Sequence, residues 1–295
     1  MTVIVVLVSL LIILMIYCRI ETKWLKTTVY TTISGKIPDE LSGKRIVLLS
    51  DLHNTYFGRK NSKLIEMVKN ASPDIIIIAG DVINGRYSTE QFNYAAETLD
   101  KLSEMNVPVY YAFGNHECKL DSFYNKDGVY KQYCELSKKY TNLLNNESAM
   151  LQLRQDDKNT ECPNTVITGL VLPLSQFRPE AKHRLEQPVS SFVGEADRNN
   201  YNILIAHDPT YFEEYIEWGA DLVVSGHIHG GIIRLPWIGG LISPRYCLFP
   251  KYDKGIYNTE DGRSMIVSCG IGWHSIPFRF LNRPEVVAID LIRKQ

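Results

Sequence analysis

Several kinds of protein are excluded by what this sequence lacks. Its six cysteines contain no Cys-x-x-Cys pair and no regular spacing. In a chain of 295 residues they read as reduced, packed thiols rather than a disulfide framework, which favours a cytoplasmic setting. Neither charge sign is in excess: 32 Lys and Arg against 33 Asp and Glu give a formal net charge of -1. That balance removes the basic surplus expected of a nonspecific nucleic-acid binder. No basic stripe interleaved with aromatics offers a nuclease surface, so no nucleic-acid partner is expected. No internal repeat is visible. With 45% hydrophobic and 22% charged residues, the composition excludes disorder and suits one large domain or two small ones.

Charge is also missing from the first stretch. Residues 3–17 read VIVVLVSLLIILMIY. With Thr2 and Cys18 this run reaches the ~17–25 residues that can cross a bilayer. A cleaved signal peptide would have a basic start and a small-residue cleavage site, and neither is present. We therefore expect an uncleaved single-pass anchor at residues 1–18, with a buried core helix as the competing reading. Arg19, Lys23 and Lys26 follow it, and Tyr17 and Trp24 suit the interface. The positive-inside rule then places the rest of the chain on the cytoplasmic side of the cell membrane.

Residues 19–44 read as a membrane-proximal stalk with an edge strand over 27–33, and residues 45–295 as the main domain. Short apolar runs rich in Val and Ile recur there, at 45–49, 75–79, 107–113, 166–168, 202–206, 222–224, 265–268 and 286–291. Apolar on both faces, they suit strands buried on both sides of a sheet. Between the early runs, Leu64, Met67, Val68 and Ala71 have helical spacing, closed by Pro73. Phe92, Ala95, Leu99 and Leu102 form a second stripe opened by a Ser88/Gln91 capping box. Thr210 is expected to cap a third helix carrying Phe212, Tyr215 and Ile216, ending at Gly219. Strand–helix–strand alternation gives an α/β fold with crossover connections. The polar stretch 145–164 reads as a loop, and 176–200 as an insertion of mixed character.

The informative polar residues follow strand ends: Asp51 and His53, Gly80-Asp81, Gly114-Asn115-His116-Glu117, His207-Asp208, and Gly226-His227-x-His229. Open α/β sheets bind ligands at the carboxyl ends of their strands, so five such clusters suggest one shared site. Asp oxygen and His nitrogen together suit Mn²⁺, Fe²⁺ or Zn²⁺ rather than Mg²⁺ or Ca²⁺. Alternate residues in Asp51-x-His53 and His227-x-His229 point to one side of an extended backbone. Five of the seven histidines lie in these clusters, leaving His183 and His274 outside. Any one of them has an ordinary structural explanation, but the five together do not. Asn54, Asn84 and Asp208 adjoin them and are candidate supports. Cys118 is a packed thiol, or, as the rival reading, a catalytic one. His183 reads as an ordinary surface residue.

In order and spacing these blocks resemble the calcineurin-like metallophosphoesterase superfamily, over about residues 45–290. Gly230-Gly231, Leu235-Pro236 and the stretches 268–272 and 279–285 further resemble a bacterial membrane-associated branch that acts on phospholipid-like or nucleotide-lipid substrates. Ile228 and Ile232 depart from the commonest pattern, which has Thr and Gln there. Neither is a ligand position, so the departure touches only local hydrogen bonding. The resemblance implies a β-sandwich of two mixed sheets flanked by helices, preceded by the transmembrane helix. It implies two divalent ions (Mn, Fe or Zn), one held by Asp51, His53, Asp81 and His229, the other by Asp81, Asn115, His207 and His227. His116 takes the catalytic position, or supports Asp51 or Asp81. Arg279, Arg283 and His274 lie in a late loop where they could grip an anionic group of the substrate.

The activity expected is hydrolysis of a phosphoester or pyrophosphate bond in an amphiphilic, lipid or nucleotide-lipid substrate at the membrane. The rivals are a tethered phosphodiesterase or phosphatase for soluble nucleotides or phosphoproteins, and a non-catalytic metal-dependent binding protein. The segment 232–257, with Trp237, Tyr246, Phe249 and Tyr252, could line an acyl-binding surface or pack as a core loop.

Overall fold

A computed structural model describes the chain except for residues 125–127, 156–157, 179–183, 245, 274–276 and 295, and the side chains of Gln155 and Asn159. Helix α1 (Thr2–Glu21) comes first, then strands β1 (Lys26–Ser34) and β2 (Arg45–Leu49), helix α2 (Ser62–Asn70), β3 (Ile75–Ala79), α3 (Thr89–Ser103) and β4 (Val109–Ala112). Helices α4 (Asn115–Tyr124) and α5 (Val129–Tyr140) lead into the short β5 (Asn142–Leu143) and the hairpin β6 (Glu147–Gln155) and β7 (Lys158–Leu170). The second half contains α6 (Ser190–Val193), β8 (Tyr201–Ala206), α7 (Phe212–Trp218), β9 (Leu222–Ser225), β10 (Arg234–Leu235) and β11 (Gly239–Gly240). It ends with β12 (Gly255–Asn258), β13 (Ser264–Val267) and β14 (Glu285–Arg293).

Two six-stranded mixed sheets form, in the orders β1-β14-β2-β3-β4-β5 and β12-β13-β9-β8-β7-β6. The strands β2, β3, β4 and β5 run parallel in the first, and β7, β8, β9 and β13 in the second. The period of two along a strand explains the layering. Ile75 and Ile77 face the core between the sheets, with Ile203, Ile205, Leu222 and Val224 from the other side. Ile76 and Ile78 face outward, under Val68 of α2, Leu99 of α3 and Tyr133 of α5. The outer face of the second sheet is covered by α7 through Phe212, Tyr215 and Ile216. The result is helix, sheet, sheet, helix. Both sheets are buried on two faces, which is why their strands read as unbroken apolar runs.

The local signals of the sequence translate unevenly. Ser88 caps α3, its hydroxyl accepting the Gln91 N–H at 3.3 Å. The Gln91 side chain, however, turns away from the cap and accepts the Asn84 N–H at 3.1 Å. At the third helix Asp208, not Thr210, is the cap: its carboxylate accepts the Thr210 N–H at 2.9 Å and opens the turn 209–211 that leads into α7. The stretch expected as a loop at 145–164 is instead the β6–β7 hairpin, in antiparallel register from Glu147↔Gly169 to Gln155↔Lys158. It is held by polar cross-strand pairs such as Ser148 with Thr168, 2.8 Å apart, and by the pairing of β7 with β8. An apolar-run criterion does not register such a strand. Helices α4 and α5 were also not foreseen, because their buried residues are few and include Tyr133, His116 and Glu117.

Strand β1 closes the first sheet in parallel with β14, from Lys26↔Glu285 to Ser34↔Arg293. Glu285 secures this closure. Its buried carboxylate accepts from Thr28 Oγ1 at 2.6 Å, the Cys269 N–H at 3.0 Å and Lys254 Nζ at 2.5 Å. Burial raises the Glu285 carboxyl, but Lys254 and the other donors outweigh burial and hold it below the usual range. A depressed folded-state pKa stabilises the fold above the unfolded value and loses that stability as pH falls through the folded one. Stability should therefore decline below about pH 4. Glu285→Gln should cost about 3–5 kcal/mol at neutral pH, because the largely buried Lys254 is left without its carboxylate partner. Denaturant unfolding of both proteins across pH checks this; a variant as stable as the wild type at pH 7 would refute it.

Candidate metal centre

Strands β2, β3 and β4 of one sheet and β8 and β9 of the other deliver their carboxyl ends to one place. Asp51 and His53 leave β2, Asp81 leaves β3, Asn115 and His116 leave β4, His207 leaves β8, and His227 and His229 leave β9. All eight are buried. To converge, Asp51, His53, Asp81, His227 and His229 all adopt left-handed backbone, with φ of +53°, +44°, +55°, +66° and +52°. Such conformations cost about 1–3 kcal/mol each and persist where the surrounding structure enforces them, as at functional sites. Two glycines work here through space rather than φ. A Cβ on Gly114 would strike the Asp81 carboxylate, and one on Gly226 would strike Ser50 Oγ and the Asp51 carboxylate.

The separations are those of a cation cluster. His229 Nε2 lies 3.4 Å from Asp51 Oδ1 and 3.2 Å from His53 Nε2. His207 Nε2 lies 3.1 Å from Asp81 Oδ2 and 3.8 Å from Asp51 Oδ1, and His53 Nε2 lies 3.7 Å from Asp81 Oδ2. Three groups of side chains could each hold an ion: Asp51, His53 and His229; Asp81, His207 and His227; and His53, Asp81 and His116. Asn115 stands between Gly114 and His116, whose N–H donates to Asp81 Oδ1 at 2.8 Å. The buried Asn115 Oδ1 has no hydrogen-bond partner among the described residues. A buried amide oxygen, two carboxylates and four imidazoles at these distances fit divalent transition ions, which satisfy such atoms where hydrogen bonds do not.

Electrostatics points the same way. Burial moves the Asp51 carboxyl up to about 6, with His207 opposing and the Asp81 charge reinforcing. Burial also raises Asp81, but His207, His116 and His53 outweigh it and hold that group well below its usual value. Burial lowers the His207 imidazole, and Asp81 and Asp51 overcome this to bring it up to about 10. Two adjacent buried carboxylates thus demand positive charge, which protonated imidazole supplies when no metal is bound.

A ring of supports fixes these side chains. Ser50 Oγ donates to Asp51 Oδ2 at 2.5 Å, and the His227 N–H donates to the same carboxylate at 3.1 Å. His207 Nδ1 meets the Ala79 carbonyl at 2.7 Å, which turns Nε2 toward Asp81. Asn54 Oδ1 accepts the Asn84 N–H at 2.9 Å, and Asn84 Nδ2 donates to the His53 carbonyl at 3.3 Å. Glu117 is the strongest support and was not given a role from the sequence. Its carboxylate accepts from Asp81 N at 2.9 Å, Gly114 N at 2.9 Å and Ile83 N at 3.2 Å, tying the β3 and β4 turns together. Lys119 was missed as well, with Nζ 3.1 Å from His116 Nε2. A helix from residue 115 would have placed it one turn beyond His116, but that helix was not anticipated.

The late loop requires a correction. Arg279 is buried, and its guanidinium donates to the carbonyls of Cys269, Gly270, Gly272 and Asn282 at 2.6–3.2 Å. It braces the 269–272 loop behind Asp51 instead of offering a fork to substrate. Arg283 donates to the Trp24 and Leu25 carbonyls at 2.9 and 3.2 Å and stacks over the Trp24 ring at 4.1 Å, so it faces the N-terminal segment. His274 and His183 lie outside the described residues. Burial, with Glu117 and Asp81 alongside, pushes the Cys118 thiol up, which agrees with the reading of a packed thiol.

The family model for the calcineurin-like phosphoesterase matches residues 44–231, more than half of the chain. The chain belongs to that family and is a metal-dependent phosphoester hydrolase. It is 28% identical over 280 residues to the metallophosphoesterase YkuE of Bacillus subtilis, covering 93% of this chain and 88% of the relative. A metallophosphoesterase of Aquifex aeolicus is 28% identical over 281 residues, covering 93% and 95%. A transmembrane protein with metallophosphoesterase domain from Danio rerio is 27% identical over 261 residues, covering 87% of this chain and 55% of that protein.

Glu117→Ala tests the support ring. The substitution leaves three buried N–H groups unpaired, at roughly 1–3 kcal/mol each. We expect stability to fall by about 3 kcal/mol or more. Bound metal, measured by atomic emission at equal free Mn²⁺, should fall with it. Unchanged stability and metal content would leave Glu117 with no positioning role.

Proposed function

We propose that this chain hydrolyses a phosphoester or pyrophosphate bond of an amphiphilic, lipid or nucleotide-lipid substrate, in the membrane that α1 crosses once, with the domain on the cytoplasmic side. One observation carries the reading. The C-terminal end of α1 docks on the loop that holds a candidate ligand: Glu21 accepts the Leu281 and Asn282 N–H groups at 2.8 and 2.7 Å, and Asn282 Nδ2 donates to the His229 carbonyl at 2.7 Å. At 20 residues, α1 measures about 30 Å, the thickness of a bilayer's hydrocarbon. Apart from Cys18 and Glu21 its side chains are exposed. A reacting bond held at this centre lies close to where the chain leaves the lipid, as the bond of a membrane-resident substrate does. Arg19, Lys23 and Lys26 at that end support the cytoplasmic side.

The proposed ligands are Asp51, His53, Asp81 and His229 for one ion, and Asp81, Asn115, His207 and His227 for the other. Two bound divalent ions (Mn, Fe or Zn) would supply charge neutralisation at phosphate oxygens and acidify water beside phosphorus. The protein's own residues do the rest. Asp81, which would serve both ions, is held by its N–H to Glu117 and by the His116 N–H. His116 projects its ring beside Asp81, Nε2 to Oδ2 3.9 Å, with Lys119 Nζ 3.1 Å from the same nitrogen. From there His116 delivers a proton to the leaving oxygen or bonds to the phosphoryl oxygens as charge builds on them.

With Mn²⁺ present, His116→Ala should retain both ions and lose roughly 10²–10⁴-fold in hydrolysis of an aryl phosphodiester. Detergent-dispersed lipid phosphoesters should be cleaved in preference to soluble nucleotides. Preference for nucleotides would favour the tethered soluble-substrate enzyme. Wild type and variant equally inert under every metal would make the protein a metal-dependent binder. A protease reaching the domain in intact cells would contradict the cytoplasmic side.

A further inference from the structure

Beside the anchor lies a second apolar surface with no covering partner among the described residues. Trp237, Ile238, Tyr246, Leu248, Phe249 and Leu281 are exposed, Trp237 completely so. Trp237, Tyr246, Phe249 and Leu281 adopt left-handed backbone, with φ of +65°, +61°, +51° and +51°. Bulky side chains rarely adopt that conformation, and here it is spent on residues that touch little of the protein.

The surface has a definite place. Leu281 shares one cleft with Trp237, Ile238 and Pro250, and Phe249 and Pro250 continue into a second cleft that reaches Ile228, the residue between His227 and His229. The segment is joined to the loop under α1 by the Ile233↔Phe280 bridge and by the Arg234 N–H to the Phe280 carbonyl at 2.9 Å. Phe280 packs edge-on against Tyr17 of α1, ring centroids 6.0 Å apart. The exposed apolar surface of α1 therefore runs on into the exposed residues of 237–249 and 281. Lys23, held over the Trp273 ring at 4.8 Å, and Arg19 stand at the same end.

We propose that this face is an interfacial membrane contact: the bilayer crossed by α1 also takes up Trp237, Ile238, Leu281 and the 246–249 tip at headgroup depth. Aromatic side chains prefer that depth, and basic side chains beside them meet the anionic headgroups. A single helix leaves a domain free to swing, whereas a helix plus an adjacent apolar face fixes its tilt. Fixed in this way, the cleft from Leu248 and Phe249 to Ile228 opens against the lipid rather than the aqueous phase. The inference rests on α1 as a membrane span, which the proposed function also assumes, but not on any catalytic step.

The test uses the full chain in vesicles of phosphatidylcholine and phosphatidylglycerol, with and without bromine on the acyl chains. Subtracting the emission of Trp237→Phe from that of the wild type isolates Trp237. That difference spectrum should be blue-shifted, lose about half its intensity or more to brominated lipid, and be indifferent to aqueous iodide. Equal thermal transitions of the two proteins confirm that the substitution leaves the fold intact. A water-like spectrum quenched only by iodide would overturn the proposal, and so would failure of the full chain to float with the vesicles. Shielding from both quenchers would mean that a protein, such as a second copy, covers the face, which also overturns it. Because no turnover is measured, an inert enzyme leaves this result standing, and an active one with Trp237 in water sinks this inference alone.

Discussion

Two carboxylates, Asp51 and Asp81, lie fully buried near one another at the seam between two sheets, and the molecule is arranged around making that arrangement tolerable. Uncompensated buried charge of this kind is not sustainable in a protein interior. Compensation comes from His53, His207, His229 and His116, all within 3.1–3.9 Å of one carboxylate or the other. The three beside Asp81, His53, His116 and His207, all come from strand ends other than its own. The demand for positive charge thus ties β2, β3 and β4 of one sheet to β8 and β9 of the other. Divalent cations would answer the same demand more completely than protons do, and would displace protons from a candidate ligand such as His207.

The left-handed backbone at five of the candidate ligands follows from this constraint. A strand leaving a sheet in ordinary conformation carries its side chains above and below the sheet, not over its end. Reversing the backbone immediately after the strand swings the side chain into the seam. Strain at the centre is offset by the rigid double-sheet core beneath it, where Ile77, Ile205 and Val224 are wholly buried. Glu117 contributes from outside the seam by binding the N–H groups of both turns, a function unrelated to metal ligation though it sits two residues from a candidate ligand.

Much of this was legible in the sequence, for identifiable reasons. Strands buried on both faces have short runs of Ile, Val and Leu closed by polar residues, unlike the longer apolar run of α1, so 45–49, 75–79 and 202–206 were plain. The clusters were legible because Asp, Asn and His are rare together immediately after such runs. Of the β6–β7 hairpin only 166–168 was legible, because elsewhere its apolar residues alternate with polar ones, Leu151 and Leu153 facing the core, and part of its hold lies in polar cross-strand contacts and in pairing with β8. Helices α4 and α5 escaped for a related reason: the buried face of α4 is made of Asn115, His116, Glu117 and Leu120, and polar residues of that kind read as a loop. Arg279 misled because arginine late in a loop suggests an anion, whereas this one is spent on backbone carbonyls. Burial is the property that separates the two uses, and burial is not written in the local sequence.

The loop carrying Arg279 through Arg283 joins what the sequence presented as separate parts. Arg279 stiffens the turn behind Asp51, Asn282 holds the His229 carbonyl, Leu281 and Asn282 receive Glu21, and Arg283 grips Trp24. Within five residues it touches the centre, the end of the apolar helix and the chain leading into β1. Glu21 is decisive in this arrangement. A carboxylate buried at the end of an apolar helix requires donors, and this loop supplies two of them, the Leu281 and Asn282 N–H groups. The helix is consequently not a freely hinged tether. Its last turn is built into the domain, so the candidate metal centre takes a defined position relative to that helix.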